Sequence, residues 1–269
     1  MTSAVQIQWP PKRNLFGVEV SVTRYDEVVD RVIEAAQCGS GGVATFLAVH
    51  GIVSAATDPD YRKRVNNCQL VGADGQPVRW AMNFFNKARM HDRVYGPRAM
   101  LEVCKRCADL GLSIFLCGST PQVLALLATN LTNEFPGLKI AGVDSPPFHA
   151  LSPDENDEIC AKINRSGAAI AFIALGVPRQ EIFADKNRDK IHAVQLCVGA
   201  AFDFHSGCKK MAPDFMQRWG LEWLFRLTQE PRRLWKRYLF TNSIFIWLFI
   251  VNALRQIGRR RETPQELRA

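Results

Sequence analysis

Apolar, β-branched runs alternate with amphipathic stretches along most of the chain. Seven short runs read as buried strands: Phe16–Val20, Val43–Val49, Gln69–Ala73, Ser113–Gly118, Leu138–Val143, Ala168–Gly176 and Ala193–Gly199. Between them lie helical patterns. Tyr25–Gln37 sets Val28, Val29, Val32, Ile33 and Ala36 on one face, and Gly96–Leu110, Pro121–Phe135, Pro153–Ser166 and Pro178–Lys190 are the other long candidates. Ser119-Thr120-Pro121 and Ser152-Pro153-Asp154-Glu155 supply an N-cap followed by proline at the first helical position.

This order predicts βαβ units. The fold class is therefore α/β, a mostly parallel Rossmann-like sheet covered by helices, with a basic helical C-terminal appendage. Two segments are expected, an α/β body over 1–208 and an appendage over 209–269. Parallel sheets bind ligands at the carboxyl ends of their strands. Several runs end there in small residues: Gly72-Ala73-Asp74-Gly75, Gly118-Ser119-Thr120, Gly176-Val177-Pro178 and Gly199-Ala200-Ala201.

Charge changes the picture at the C-terminus. Residues 1–208 carry 21 basic and 21 acidic side chains, whereas residues 209–269 carry 13 and 5, which accounts for the net charge of +8. Such asymmetry points to an anionic contact: membrane, phosphate or nucleic acid. The same end holds Trp219, Trp223, Trp235 and Trp247, and the most apolar stretch of the chain, Thr241–Leu254. That stretch falls short of the roughly twenty apolar residues of a spanning helix. With Arg255 and Arg259-Arg260-Arg261 behind it, it reads as an interfacial anchor or as a core helix packed on the body. The first thirty residues show no apolar h-region, so a cytoplasmic location is expected. The eight cysteines are then buried small hydrophobes, and Cys104-x-x-Cys107 has no second pair to complete a metal site.

Standard catalytic signatures are absent, so candidate chemistry rests on single residues. Asp58-Pro59-Asp60 has the spacing of a metal-holding carboxylate pair, but in AATDPDYRKRV it reads as a helix N-cap. Asp74 follows a strand and stands alone among small and apolar neighbours. It is a candidate general base, or else the residue of an Asp-Gly turn or a cap for a helix over Gln76–Lys87. Gln180 and Glu181 open a helix and suit an anion at its amides or a capping box. Asp203, polar within GAAFDF, reads as a ribose or base contact or a local cap. His50, His91, His149, His192 and His205 show no paired spacing and read as surface or packing residues. Arg218, Arg226, Arg233 and Arg237, with Arg232 and Lys236 alongside, recur near one helical face as a phosphate grip or a solvated basic face.

From about Val43 to Leu239 the chain resembles the WecG/TagA/CpsF family of bacterial glycosyltransferases, glycosyltransferase family 26. The resemblance rests on DPDYRKRVNNCQLVGADGQPV, RVYGPRAM, IFLCGSTPQVLALLATNLTNEFPGLKIAG, ALGVPRQE and, above all, VGAAFDFHSGCKKMAPDFMQRWGLEWLFRLTQEPRRLWKRYL. It implies metal-independent, inverting transfer from a UDP-sugar to a polyprenyl-diphosphate-linked saccharide, in the synthesis of cell-surface polysaccharides. It also implies Asp74 as base, although Ala73 replaces the usual proline before it. It matches a family Arg near the acceptor and diphosphate region to Arg93 and a family Gln to Gln180; both are assigned to the donor, together with Asp203 as read from its own surroundings. Arg226, Arg233 and the Lys236/Arg237 pair, with Arg232 beside them, serve the acceptor diphosphate. The family's Thr-x-Asn positions hold Phe46 and Ala48 here, which leaves Thr45 and His50 as the nearest polar substitutes, Thr45 being taken for the donor.

The partners so implied are a UDP-sugar of N-acetylmannosamine, N-acetylmannosaminuronate or glucose type, a lipid-linked diphosphate and an anionic membrane surface. No metal, cofactor or nucleic acid is expected, and a homo-oligomer is compatible. The expected address is peripheral, on the inner face of the cytoplasmic membrane. Rival readings are a catalytically degenerate sugar-nucleotide-binding protein held at the membrane and a nucleic-acid-binding protein, the latter weakened by the apolar run between the basic clusters.

Overall fold

The computed structural model of the chain describes residues 7–262, with side chains described as far as Gly258. Arg259, Arg260 and Arg261 therefore lie outside the described side chains. Six strands form one parallel sheet in the order β4-β3-β8-β7-β5-β6, built from β3 (Val43–Leu47), β4 (Leu70–Ala73), β5 (Ser113–Gly118), β6 (Lys139–Asp144), β7 (Ile170–Ala174) and β8 (Val194–Cys197). These strands read as continuous apolar runs because both faces of most of them are covered.

Alternate residues feed two cores. Val43, Leu47, Val71, Phe115 and Ile173 point to one side of the sheet, while Ala44, Phe46, Leu70, Leu116 and Phe172 point to the other. The second side is covered by α1 (Tyr25–Cys38), α5 (Gly96–Leu110) and α6 (Pro121–Glu134), whose buried Val32, Val103 and Leu127 join that core. The first side takes α2 (Val49–Thr57), α3 (Pro59–Asn67), α4 (Gln76–Asn86), α7 (Pro153–Arg165) and α8 (Arg179–Lys186). As the proline spacing predicts, the Thr120 hydroxyl accepts from Val123 N to cap α6, and Ser152 with Glu155 forms a capping box on α7.

Three expectations need correction. The predicted first strand is a separate antiparallel hairpin of β1 (Lys12–Leu15) and β2 (Val18–Ser21), outside the parallel sheet. Its two-residue turn places both Phe16 and Gly17 at positive φ, 56° and 92°, the geometry that matches the twist of a tight hairpin. The predicted strand Val43–Val49 stops at Leu47, and Val49 begins α2 instead. The apolar stretch Thr241–Leu254 is not a short helix. It belongs to α12 (Pro231–Glu262), in which Pro231–Gly258 is long and apolar enough to cross a membrane by length and composition alone.

After β8 come the short helices α9 (Ala201–His205) and α10 (Asp214–Arg218), then α11 (Glu222–Gln229) and α12. The C-terminal segment is docked rather than trailing. Phe245 of α12 is buried in the first core, its ring 5.6 Å from that of Phe16, and Phe249 packs against Phe84 and Phe85 at 5.0 and 4.9 Å between centroids. Leu234 and Tyr238 are buried further up the same helix.

Gly118 ends β5 at φ +125°, and a Cβ there would lie 2.5 Å from the Ala174 carbonyl oxygen of β7. Gly118→Ala is therefore expected to lower stability by at least about 1–3 kcal/mol, measured by urea denaturation. A midpoint equal to that of the parent protein would show that the two strand ends are free to separate.

Candidate active site

Because the sheet is parallel, all six carboxyl ends meet at one edge, and the loops that follow them line a cavity of about 770 Å³. Asp74 stands after β4, His50 after β3, Asp203 after β8, Gln180 after β7, and Ser119 and Thr120 after β5. Phe148, 72% exposed, sits at the mouth after β6, where Arg179 donates to the carbonyls of Pro147, Phe148 and His149. The C-terminal helices close the other side with Glu222, Trp223, Arg226, Arg233, Arg237 and Tyr238. Between β5 and β7 the strand order reverses, the place where open α/β sheets take their ligands.

Asp74 does not cap the helix that follows it. Its amide donates to Leu47 O at 3.2 Å, and its carboxylate accepts from Gly96 N, the first residue of α5, at 3.3 Å. Arg93 Nη1 lies 3.9 Å from Asp74 Oδ1. The Arg93 side chain is itself 7% exposed and donates through Nη2 to Glu222 Oε2 at 2.9 Å and to Gln217 Oε1 at 3.0 Å. Its guanidinium covers the Tyr95 ring, 4.2 Å from the centroid, and the Tyr95 hydroxyl donates to Glu222 Oε1 at 3.1 Å. Burial disfavours the Asp74 carboxylate and the nearby Glu222 charge adds to that. Arg93 opposes both, and the net result raises the pKa from the ordinary 3.8 to about 7.

The roof is cationic. Arg237 Nε is buried without a partner, and desolvation pulls the Arg237 pKa down. Arg226 stacks over Phe204 at 5.7 Å, and Arg233 pairs with Glu230 at 2.5 Å. Lys209 Nζ bridges Asp203, at 2.7 Å, and Glu230, at 3.6 Å. His50 Nδ1 and Gln180 Oε1 are also buried without partners, so three unsatisfied polar atoms belong to residues that line the one cavity. Burial and the Arg237 charge lower the His50 pKa to about 4, which keeps the imidazole neutral.

The cavity thus gathers Asp74, Arg93, Gln180, Asp203, Arg226, Arg233 and Arg237 of the sequence-predicted residues. Two others lie elsewhere. Thr45 is fully buried beneath the wall, its hydroxyl donating to Glu181 at 2.8 Å, because odd positions of β3 face the α8 side. Arg232 is exposed and does not line the cavity, being on the outer side of the first turn of α12. Asp58 caps α3 by accepting from Asp60 N and Tyr61 N, both at 3.0 Å, as the Asp-Pro-Asp reading predicts. Among the described residues no group of three His, Cys, Asp or Glu is placed to hold a metal ion.

Glu222 and Tyr95 are the residues that sequence reasoning missed. Glu222 left one signal: it is an acid within the aromatic run RWGLEWLF of a basic segment. Of the two polar substitutes that the family resemblance offers, His50 lines the cavity and Thr45 does not.

The family model described as the glycosyl transferase WecG/TagA/CpsF family matches residues 13–259.

The carboxylate pair around Arg93 sets a titration that can be read directly. Carbon-13 carboxyl shifts of Asp74 should titrate with a midpoint at about 7. Glu222→Gln removes the neighbouring negative charge, so the midpoint should fall. A midpoint near the ordinary carboxylate value in the native protein would contradict the desolvated geometry.

Proposed function

The chain belongs to the WecG/TagA/CpsF family of glycosyltransferases, which act in cell-surface polysaccharide synthesis, and from that premise we propose that it moves a hexose or N-acetylhexosamine from a UDP-sugar onto a polyprenyl-diphosphate-linked saccharide. The observation that carries this reading is the meeting, in one cavity, of a desolvated carboxylate, Asp74, with Arg226, Arg233 and Arg237, the last with a buried Nε that has no partner.

The chemistry follows from charge. The acceptor hydroxyl gives its proton to the Asp74 carboxylate as its oxygen attacks the anomeric carbon from the face opposite UDP, so configuration inverts. The anomeric C–O bond breaks and UDP departs with the electron pair. Its charge would be met by cavity arginines and backbone amides in place of a metal ion. Gln180 and Asp203 hold the donor. Arg226, Arg233 and Arg237 hold the acceptor diphosphate, Arg237 with an unfilled Nε position. Arg93 keeps Asp74 close to neutral pH in its titration. Thr45 acts only from beneath the wall, and Arg232 is left for a surface anion.

The membrane address is proposed for the outer face of α12. Leu239, Phe240, Ile246, Trp247, Ile250 and Leu254 are each more than half exposed, while Leu234, Tyr238 and Phe245 of the same helix are buried against the body. A helix held along one side by protein suits the headgroup region better than a span. The protein would then sit peripherally on the inner face of the cytoplasmic membrane.

Three outcomes test the reading. Asp74→Asn should bind UDP yet transfer about two to four orders of magnitude more slowly, as expected for loss of a general base. The raised pKa means that this carboxyl's contribution to stability is present in acid and lost as pH rises from the ordinary 3.8 through about 7. Asp74→Asn should therefore be more stable than the parent at pH 8 and lose that advantage at low pH. Near-normal transfer by the variant would remove Asp74 from the mechanism.

Transfer should also persist in excess EDTA, and abolition with rescue by magnesium or manganese would restore a metal to the reaction. Finally, serine in place of Trp247, Ile250 and Leu254 should weaken flotation with anionic vesicles while sparing transfer to a short-chain, water-soluble acceptor. Each side chain that becomes fully buried in lipid contributes up to about 1.5–3 kcal/mol. Replacing Arg226 and Arg233 should spare flotation and abolish transfer; one shared phenotype for both sets would refute the division.

A further inference from the structure

Beneath the cavity wall lies a carboxylate that the mechanism does not use. Glu181 is fully buried, and no cation lies within ion-pair distance of it among the described residues. Three neutral donors surround it instead. Thr45 Oγ1 and Gln180 Nε2 each donate to Glu181 Oε1 at 2.8 Å, and the Tyr61 hydroxyl donates to Oε2 at 3.1 Å. All four side chains belong to residues no more than 3% exposed. A buried, unpaired carboxylate is costly, and its retention requires that these donors be well placed.

We infer that Glu181 is a positioning residue that fixes which end of the Gln180 amide faces the ligand. An amide side chain can present either its oxygen or its NH2 to the cavity. Burial pushes the Glu181 pKa up and its three hydrogen bonds oppose that. With Thr45 and Tyr61 already donating to both carboxyl oxygens, what faces Gln180 is acceptor lone pairs, and the Gln180 NH2 turns toward them. The Gln180 oxygen is then left toward the cavity, buried and without a partner. Gly199, at φ +52°, keeps the space before it open, since a Cβ at that position would lie 3.3 Å from Oε1.

An oriented carbonyl oxygen repels phosphate oxygens and accepts from O–H or N–H. Its ligand group is therefore a hydroxyl or amide N–H of the sugar nucleotide, carried either by the transferred sugar or by the nucleoside. This rests on the reading of the cavity as a sugar-nucleotide site and adds a selection rule to it. The Thr45–Tyr61–Glu181 cluster imposes acceptor character on the wall that faces the cationic roof.

The test compares the native protein with Glu181→Gln, Gln180→Ala and the double variant. Binding is measured by calorimetry with UDP, UDP-glucose and UDP-N-acetylmannosamine, and turnover with the tightest-binding sugar. Gln180→Ala should weaken binding about 5- to 50-fold, the cost of one buried hydrogen bond. Glu181→Gln frees both amide orientations and should raise Kd about two- to tenfold through the lost fraction of competent orientation, with kcat nearly unchanged. The double variant should bind no more weakly than Gln180→Ala alone. If UDP itself loses affinity, the contacted group is on the nucleoside; if only the UDP-sugars do, it is on the sugar.

Side-chain amide NMR supplies a readout free of ligand. The Gln180 NH2 should exchange slowly with solvent in the native protein and faster in Glu181→Gln. Equal affinity and equal exchange in Glu181→Gln, or losses that simply multiply in the double variant, would overturn the inference. A native protein that binds none of the three probes would instead remove the reading beneath it.

Discussion

Arg93 is a buried cation held between two carboxylates from distant parts of the chain, and much of the rest depends on how it is satisfied. Glu222 supplies the tight partner at 2.9 Å, while Asp74 stands off at 3.9 Å. Removing Glu222, the tight partner, would leave the buried guanidinium without its main counter-charge, a loss that typically costs about 3–5 kcal/mol. The C-terminal helices therefore do more than cover a surface. By bringing Glu222 to Arg93 they settle where that guanidinium spends its hydrogen bonds and leave Asp74 only loosely paired, at the edge of protonation. A tighter Arg93–Asp74 pair would hold the carboxylate ionised and make it a weaker base.

The sheet supplies the complementary constraint. Only a parallel arrangement brings six carboxyl ends to one edge, so that side chains from Ala48 to Asp203 meet around one cavity. The tail closes that cavity with residues of α11 and α12, and Phe245 fixes α12 in the core of the body. The boundary expected near residue 208 is therefore a change in composition and charge, while packing runs across it. The groups of the cavity are distributed accordingly: the Asp74 carboxylate comes from the body, the cations come mostly from the tail, and the outer face of the same helix is left apolar.

Legibility in the sequence followed burial. Strands covered on both faces, such as Ser113–Gly118 and Ile170–Ala174, are unbroken apolar runs and could be read directly. The hairpin was misread because KRNL looks like surface and its pairing depends on a two-residue turn with two positive φ angles. The start of α2 was hidden because VHGIVSAAT has no capping side chain at Ala48 to announce it. The length of α12 was hidden by its chemistry, since basic and aromatic residues in its first turns look unlike the apolar run that continues them. In the site, Asp74, Gln180 and Asp203 were visible as lone polar residues just after apolar runs. Glu222 was not, because its role arises only once the tail folds back over Arg93. Thr45 was drawn toward the ligand by its place on β3, but strand alternation turns it to the opposite face, onto Glu181.

The central claim is that one desolvated carboxylate, ionising close to neutrality, takes the acceptor proton. The pH dependence of kcat/KM for transfer to a lipid-linked acceptor tests it most directly, because that ratio reports the ionisation of the free enzyme. The account predicts an ascending limb of unit slope with an apparent pKa at about 7, present in the native protein and absent from the residual activity of Asp74→Asn. A profile that is flat across that range, or a limb that survives unchanged in Asp74→Asn, would contradict it.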